Sequence, residues 1–370
     1  MTKLGGSRLS PDVLEAIEES NESFCNMWDL IKKCGEIIAR ITGAEAAWIT
    51  PGAFSALVLS SAACIAGKDP EKMRQLPHTN DMNNEIIIQR NNRLLLYDRS
   101  MEVPGGKFVF IGDEIWGTTK EVLENAFNDK TAAVHYAYVK EPPRGALALE
   151  TVLEISHDHG IPVIVDAAGM TYPTHYLTKF TDMGADLVCY GGKYLGGPNS
   201  TGFVTGRKDL VEAVAIHSFI GTEYGPKGKP GYYRSIGRGY KLDRQEVVAL
   251  LKAFKHWMHM DHEEERLAPA WKRAHKIEEE IKDLPGLDDV RFTYIPKSGE
   301  GIEYHKLGLH LYFDDRTVDE VIDITESLKA GDPEIWVRYG GNGKDFIINT
   351  LLLQPGEEDL IVERFKEIFG

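Results

Sequence analysis

Val163-Ile164-Val165-Asp166-Ala167-Ala168-Gly169 sets a carboxylate at the tip of a buried β-branched run. The run Asp186-Leu187-Val188-Cys189-Tyr190-Gly191-Gly192-Lys193 then carries a lysine just past its end, twenty-seven residues beyond Asp166. Runs apolar throughout, without alternation, read as strands covered on both faces, which is the habit of a parallel sheet. Ligands of such sheets bind outside the carboxyl ends of the strands, so both polar tips fall on the edge where chemistry is expected.

Working outward, similar runs occur at Ala46-Ile49, Glu85-Gln89, Phe108-Gly112, Ala132-Tyr138 and Gly202-Thr205, separated by stretches with helical spacing such as Met27-Ile41, Thr118-Ala126 and Leu147-His159. The pattern predicts an α/β fold with a large, mostly parallel seven-stranded sheet and helices on both faces. After residue 206 a stretch rich in Gly, Tyr and Arg leads to a long helix opening at Asp243, with Glu246 placed for a capping box. Helices at Ala268-Leu284, Val318-Lys329 and Glu357-Ile368, with strands at Leu307-Phe313, Ile335-Tyr339 and Phe346-Thr350, predict a smaller C-terminal α/β domain. The expected division is residues 1–45 as a segment packing on both domains, 46–240 as the large domain, and 241–370 as the connecting helix and small domain.

Composition narrows the function. With 42 Lys+Arg against 57 Asp+Glu the net charge is −15, which repels phosphate backbones and anionic lipid and speaks against nucleic acid or membrane as partner. No apolar run reaches the roughly 18 residues of a membrane helix, and no leader is visible, so a cytoplasmic location is expected. Cys25, Cys34, Cys64 and Cys189 lack metal spacing and read as reduced core thiols.

Three elements carry chemistry. Asp166 at a buried strand tip needs a cation or a cap. Lys193 sits among Gly191, Gly192, Gly196 and Gly197, where a ligand can approach the backbone; a lysine facing an apolar site becomes a nucleophile suited to imine formation with an aldehyde. Trp48-Ile49-Thr50-Pro51-Gly52-Ala53-Phe54-Ser55 is a strand followed at once by a helix start, whose free N–H groups favour a phosphate ester. Each has an ordinary structural reading: a cap, a surface lysine, an unliganded helix start. Their coincidence on one sheet edge points to pyridoxal 5'-phosphate, with an acid to keep the ring nitrogen protonated and a lysine to hold the aldehyde.

Asp166 to Arg207, with Gly184-Ala185-Asp186-Leu187-Val188, Gly191-Gly192-Lys193, Gly197-Pro198-Asn199-Ser200-Thr201-Gly202 and Gly206-Arg207-Lys208-Asp209-Leu210, resembles the selenocysteine synthase and D-glucosaminate-6-phosphate ammonia-lyase branch of fold type I pyridoxal-phosphate enzymes, which is aminotransferase class V-like. The likeness extends to Thr42-Gly43-Ala44-Glu45, Leu4-Gly5-Gly6-Ser7 and Lys241-Leu242-Asp243-Arg244. It implies that Lys193 binds the cofactor's aldehyde, Asp166 meets its pyridine nitrogen, Ala168 lies near the ring, and Gly52, Ala53 and Ser55 hold its phosphate. It further implies a homodimer in which a partner completes the phosphate site, here through Thr222, and an active site between the domains with Arg338 for the substrate carboxylate. The family pattern has a ring-stacking His near Asn91-Asn92, where this chain departs. The acidity and the start at the Gly-Gly motif speak against a tRNA substrate.

The expected activity is that of a lyase on an amino acid, removing the α-proton and eliminating a β-substituent to give a 2-oxo acid and ammonia. Replacement, transamination and racemisation share the same carbanion, and a non-catalytic pyridoxal-phosphate binder is the reading of another class. His256, His259 and His262 read as a solvated helix face, and Gly340-Gly341-Asn342-Gly343-Lys344 as a hairpin turn; Tyr232, Tyr233, Arg234, Arg238 and Lys241 are placed for a distal anion or an ordinary inter-domain segment.

Overall fold

The computed structural model describes residues 2–113, 115–139, 143–293 and 307–370. Contacts divide the chain into two units, residues 1–258 and 259–370.

The first unit is built on seven strands: β1 (Ala46–Thr50), β2 (Glu85–Gln89), β3 (Lys107–Ile111), β4 (Thr131–Ala137), β5 (Val163–Asp166), β6 (Leu187–Gly191) and β7 (Gly202–Gly206). Their order across the sheet is β1-β7-β6-β5-β4-β2-β3, with β7 antiparallel to both neighbours and the other pairs parallel. Every run read as a strand from residue 46 to 206 is one; all but the edge strand β3 are buried along nearly their whole length, which a doubly covered sheet accommodates.

Among the described residues, nine α-helices lie in or begin in this unit: α1 (Pro11–Asn21), α2 (Met27–Thr42), α3 (Gly52–Ala66), α4 (Pro70–Gln75), α5 (Lys120–Glu124), α6 (Leu149–Asp158), α7 (Tyr176–Asp182), α8 (Lys208–His217) and α9 (Arg244–His259). They cover both faces. The Cys189 thiol meets Ser60 of α3, while the next residue, Tyr190, stacks on Phe203 and approaches Phe180 of α7 from the other side. The uncharged α3 is the central helix, with Ala56, Leu57, Val58, Leu59 and Ala62 buried. On α2, Gly35 is required, since a Cβ there would lie 2.1 Å from the Ala47 carbonyl oxygen.

The division falls after Met258 rather than after Tyr240. Phe254 of α9 packs edge-on against Phe203, Trp257 donates to the Thr171 carbonyl, and Val13 of α1 packs on Ala249 and Ala253, so the long helix buries its apolar stripe in the first unit. Residues 1–45 likewise fall in the first unit. As read from the sequence, the Asp243 amide is capped by the Glu246 carboxylate, at 2.9 Å.

The second unit has a four-stranded antiparallel sheet of β8 (Asp289–Phe292), β9 (Gly308–Tyr312), β10 (Arg338–Tyr339) and β11 (Asp345–Asn349), ordered β10-β11-β9-β8. Its helices are α10 (Ala268–Ile281), α11 (Val318–Lys329) and α12 (Glu357–Phe369), and Leu311, Phe313, Phe346 and Phe365 are among its core residues. The strand expected at Ile335-Tyr339 shrinks to two residues because the Ile335 amide donates to Leu328 of α11, ending that helix instead of joining a ladder. The Gly340–Lys344 stretch connects β10 to β11 as the expected hairpin.

Candidate active site

Gly202 fixes the geometry of the edge. Because β7 runs against its neighbours, Gly202 stands opposite both Thr50, the last residue of β1, and Gly191, the last of β6. The start of α3 and the lysine turn therefore flank one glycine. A Cβ on Gly202 would lie 2.5 Å from the Tyr190 oxygen, 2.6 Å from the Gly52 carbonyl carbon and 2.8 Å from the Ala53 nitrogen, so only glycine lets the three backbones converge.

Asp166 ends β5, opposite Cys189 in the β6 register. It is 5% exposed; its carboxylate accepts from the Ala168 amide at 3.1 Å, and among the described residues no cation pairs with it. Burial pushes its pKa up to about 6, with the Ala168 amide pulling weakly the other way. Asp186, at the opposite edge, shows what a structural carboxylate looks like here: it takes the Val163 amide, the His157 ring and the Arg207 guanidinium, at 2.8 to 3.0 Å. Asp166 has only the Ala168 amide. Ala168 also ties the edge together, its carbonyl accepting from the Gly191 amide at 2.9 Å.

Lys193 lies in a short 3₁₀ turn, Gly192–Leu195, between Gly192 and the left-handed Gly196. A side chain at 192 would strike Thr201 Oγ1 at 2.3 Å. Burial lowers the Lys193 pKa, as a nucleophilic amine requires. Its Nζ donates to Thr2 Oγ1 at 2.8 Å and sits 5.3 Å from the Tyr194 ring centre, while its carbonyl accepts from the Ser7 hydroxyl at 2.8 Å. Gly6 forms an antiparallel bridge with Pro198, which straps the first residues across the turn.

At the start of α3, Gly52 takes a left-handed φ of 81°, which turns the chain directly from strand to helix. Pro51 at the cap offers no side-chain acceptor, leaving the first amides of a fifteen-residue helix without one. Ala53 is partly exposed and Ser55 buried. Asp166, Ala168, Lys193, Gly52, Ala53 and Ser55 are thus all on or next to one edge of one sheet.

The remaining candidates lie elsewhere. Thr222 is in the turn Gly221–Glu223, and its buried hydroxyl has no hydrogen-bond partner; it lines a cavity of about 490 Å³ that none of the edge residues lines. Arg338 is exposed on β10 of the second unit. Asn92 gives its side chain to the end of β4, exchanging hydrogen bonds of 2.8 and 2.9 Å with Ala137, and Asn91 donates to the Arg144 carbonyl. The histidine trio does not form one solvated face: α9 ends at His259, His256 pairs with Asp12 at 3.3 Å, and His262 is buried. Of the cysteines read as core thiols, Cys25 is exposed because it falls between α1 and α2. No group of acidic, His and Cys side chains suited to a metal occurs among the described residues.

Two features were missed. Thr2 and Ser7 reach Lys193 from across the chain, a contact that no local pattern announces. Tyr138, just past β4, accepts from Lys179 Nζ at 2.7 Å beside Asp166, whose carbonyl takes the Tyr138 amide. Its place at the end of an apolar run could have flagged the tyrosine.

A cation-seeking buried acid, a lysine with lowered pKa and an uncapped helix start fit pyridoxal phosphate group by group. Comparison agrees. Residues 109–287 match the aminotransferase class-V family. The chain is 26% identical over its full length to the D-glucosaminate-6-phosphate ammonia lyase of Salmonella typhimurium, covering 93% of that protein. A solved D-glucosaminate-6-phosphate ammonia-lyase structure superposes with a TM-score of 0.81 at 26% identity, over all of this chain and 93% of that one. The chain has the fold of the type I pyridoxal-phosphate enzymes and uses their cofactor. A second likeness, 29% identity over 99% of the chain and 87% of its relative, is to a 5'-C-glycyluridine monooxygenase-decarboxylase of a Streptomyces species. No described helix of this fold type I enzyme is long and apolar enough to cross a membrane.

Proposed function

We propose that the enzyme is a cytoplasmic amino-acid lyase that eliminates a β-hydroxyl group and yields a 2-oxo acid and ammonia. The full-length likeness to the ammonia lyase, in sequence and in fold, carries this reading. Lys193 is the amine that holds the cofactor's aldehyde, Asp166 keeps a proton on its ring nitrogen, and Gly52, Ala53 and Ser55 hold its phosphate, with Ala168 against the ring. Bound pyridoxal phosphate supplies an electron sink next to the substrate's Cα. Once the substrate amine has taken its place, Lys193 Nζ is free; its lowered pKa suits it to remove the Cα proton. The same ammonium then gives that proton to the β-oxygen, which departs as water. Hydrolysis of the released enamine returns a water and liberates ammonia. Arg338 is assigned to the substrate carboxylate, for which its guanidinium can make a bidentate contact.

The reading includes a homodimer, with Thr222 completing a partner's phosphate site. Leu95, Leu96, Ile115 and Trp116, each at least 71% exposed after the carboxyl ends of β2 and β3, support an association surface.

The Streptomyces relative favours one alternative, an oxygen-consuming decarboxylation. Incubating the loaded enzyme with D- and L-β-hydroxy amino acids, in air and under nitrogen, separates the two. Ammonia and 2-oxo acid formed equally in both atmospheres are expected. Product that appears only in air, with oxygen uptake and carbon dioxide release, overturns the lyase reading.

A further inference from the structure

We propose, on the lyase reading above, that Thr2 is a positioning residue for Lys193, its hydroxyl holding the free amine in the direction from which it takes the Cα proton. Lys193 Nζ donates to Thr2 Oγ1 at 2.8 Å, and among the described residues this is its one hydrogen bond; no carboxylate pairs with it. That choice of partner matters chemically. A carboxylate would hold the amine as ammonium and withhold its lone pair, whereas a hydroxyl oxygen accepts from the neutral amine and from the ammonium alike. With one N–H committed to Thr2, the lone pair cannot turn to that side. The face of Tyr194, whose ring centre is 5.3 Å from Nζ, limits a second direction.

Thr2 is held to the lysine by the lysine's own turn. Thr2–Leu4 form a 3₁₀ turn, closed by the Gly5 amide on the Thr2 carbonyl at 3.3 Å. Gly6 follows at a left-handed φ of 100° and bridges Pro198. A Cβ on Gly6 would lie 2.5 Å from the Asn199 Cβ, so the strap lies flush on the segment after the lysine only because position 6 is bare. The Ser7 hydroxyl then donates to the carbonyl of Lys193 itself, at 2.8 Å. The backbone of Lys193 thus anchors Ser7 while its side chain meets Thr2, five residues earlier. A movement of the lysine turn carries the strap with it, and the distance from Oγ1 to Nζ is kept. The Gly5-Gly6 pair is the joint that lets so short a segment make both contacts.

Two readouts test this, one of them independent of turnover. In the cofactor-free chain, the pH dependence of imine formation with pyridoxal, followed by absorbance with Lys193→Ala as the blank, reads the amine directly. Thr2→Val keeps the shape and removes the acceptor. Hydrogen bonds from an ammonium are stronger than those from an amine, so the apparent pKa of Lys193 is expected to fall below the parent's in Thr2→Val and to return in Thr2→Ser. In the loaded enzyme, kcat for a β-hydroxy amino acid is expected to fall about tenfold or more in Thr2→Val with KM nearly unchanged, and to recover in Thr2→Ser. An unchanged imine profile in Thr2→Val overturns the proposal. So does a loss of kcat that Thr2→Ser fails to recover, or a loss confined to KM, which would make the strap a wall of the substrate site. A parent that turns over no β-hydroxy amino acid removes the lyase reading by itself, and the imine titration still decides whether Thr2 holds the amine.

Discussion

Asp166 and Asp186 are the same residue type, both buried, at opposite edges of one sheet. Asp186 is surrounded by donors and does structural work; Asp166 has a single amide and a pKa raised to about 6. A carboxyl whose pKa is higher folded than unfolded takes up a proton on folding, so its ionised form destabilises the folded chain. That cost grows as pH rises from about 4 to about 6 and is constant above. Asp166→Asn removes it: the cofactor-free variant is expected to unfold on the order of 2–3 kcal/mol later than the parent at pH 8, with little difference near pH 4, by urea titration. The same variant, loaded, should lose elimination activity by at least a hundredfold, because the ring nitrogen no longer has a charged partner. Lys193→Ala is expected to bind the cofactor without the long-wavelength absorbance band of the parent, and amino acids should then form no product. An unchanged band would remove Lys193 from its role.

At the scale of elements, the turn from β1 into α3 depends on Gly202 being bare. Gly202→Ala is expected to push the start of α3 off the sheet and weaken pyridoxal 5'-phosphate binding at least tenfold, read by fluorescence titration, with pyridoxal affected much less. Two further elements set the acid limit. His135 in β4 and His217 in α8 are buried, and burial lowers both pKa values to about 4. Each favours its neutral form in the fold, so stability is full above about pH 6.5 and is lost as pH falls toward 4, opposite in sign to Asp166. His217→Asn should flatten part of that decline in thermal scans from pH 7 to 4.5. Seven strands and the two polar tips were legible because a doubly covered strand is written as an unbroken apolar run ending in a residue that does not belong there. β8 was not, since Asp289-Val290-Arg291-Phe292 is short and half-buried. Nor was the contribution of Arg74 to the Thr222 cavity: it lies on a six-residue helix nearly 150 residues before Thr222, and only folding brings the two together.

For the whole molecule, the division after Met258 leaves the proposed cofactor residues and the Thr222 cavity on one unit and Arg338 on the other. Large apolar side chains left in water after β2 and β3 argue for association: Leu96 is 81% exposed and Trp116 84%. Sedimentation of the full chain at micromolar concentration is expected to give a dimer, and the double change Leu96→Asp with Trp116→Asp a monomer that has lost activity; a monomeric parent would contradict the dimer. The strap made by Gly6 and Ser7 has a consequence for the order in which this protein can be made. β1 pairs with β7, and the strap bridges Pro198 and the lysine turn, so residues 2–7 emerge from the ribosome and wait for residue 198. At translation rates of roughly 5–20 residues per second, that interval lasts on the order of 10–40 seconds. Throughout it α2 can already meet β1, as Trp28 meets Trp48, while the strap still lacks the turn it crosses, and a nascent-chain chaperone has that interval in which to act on it.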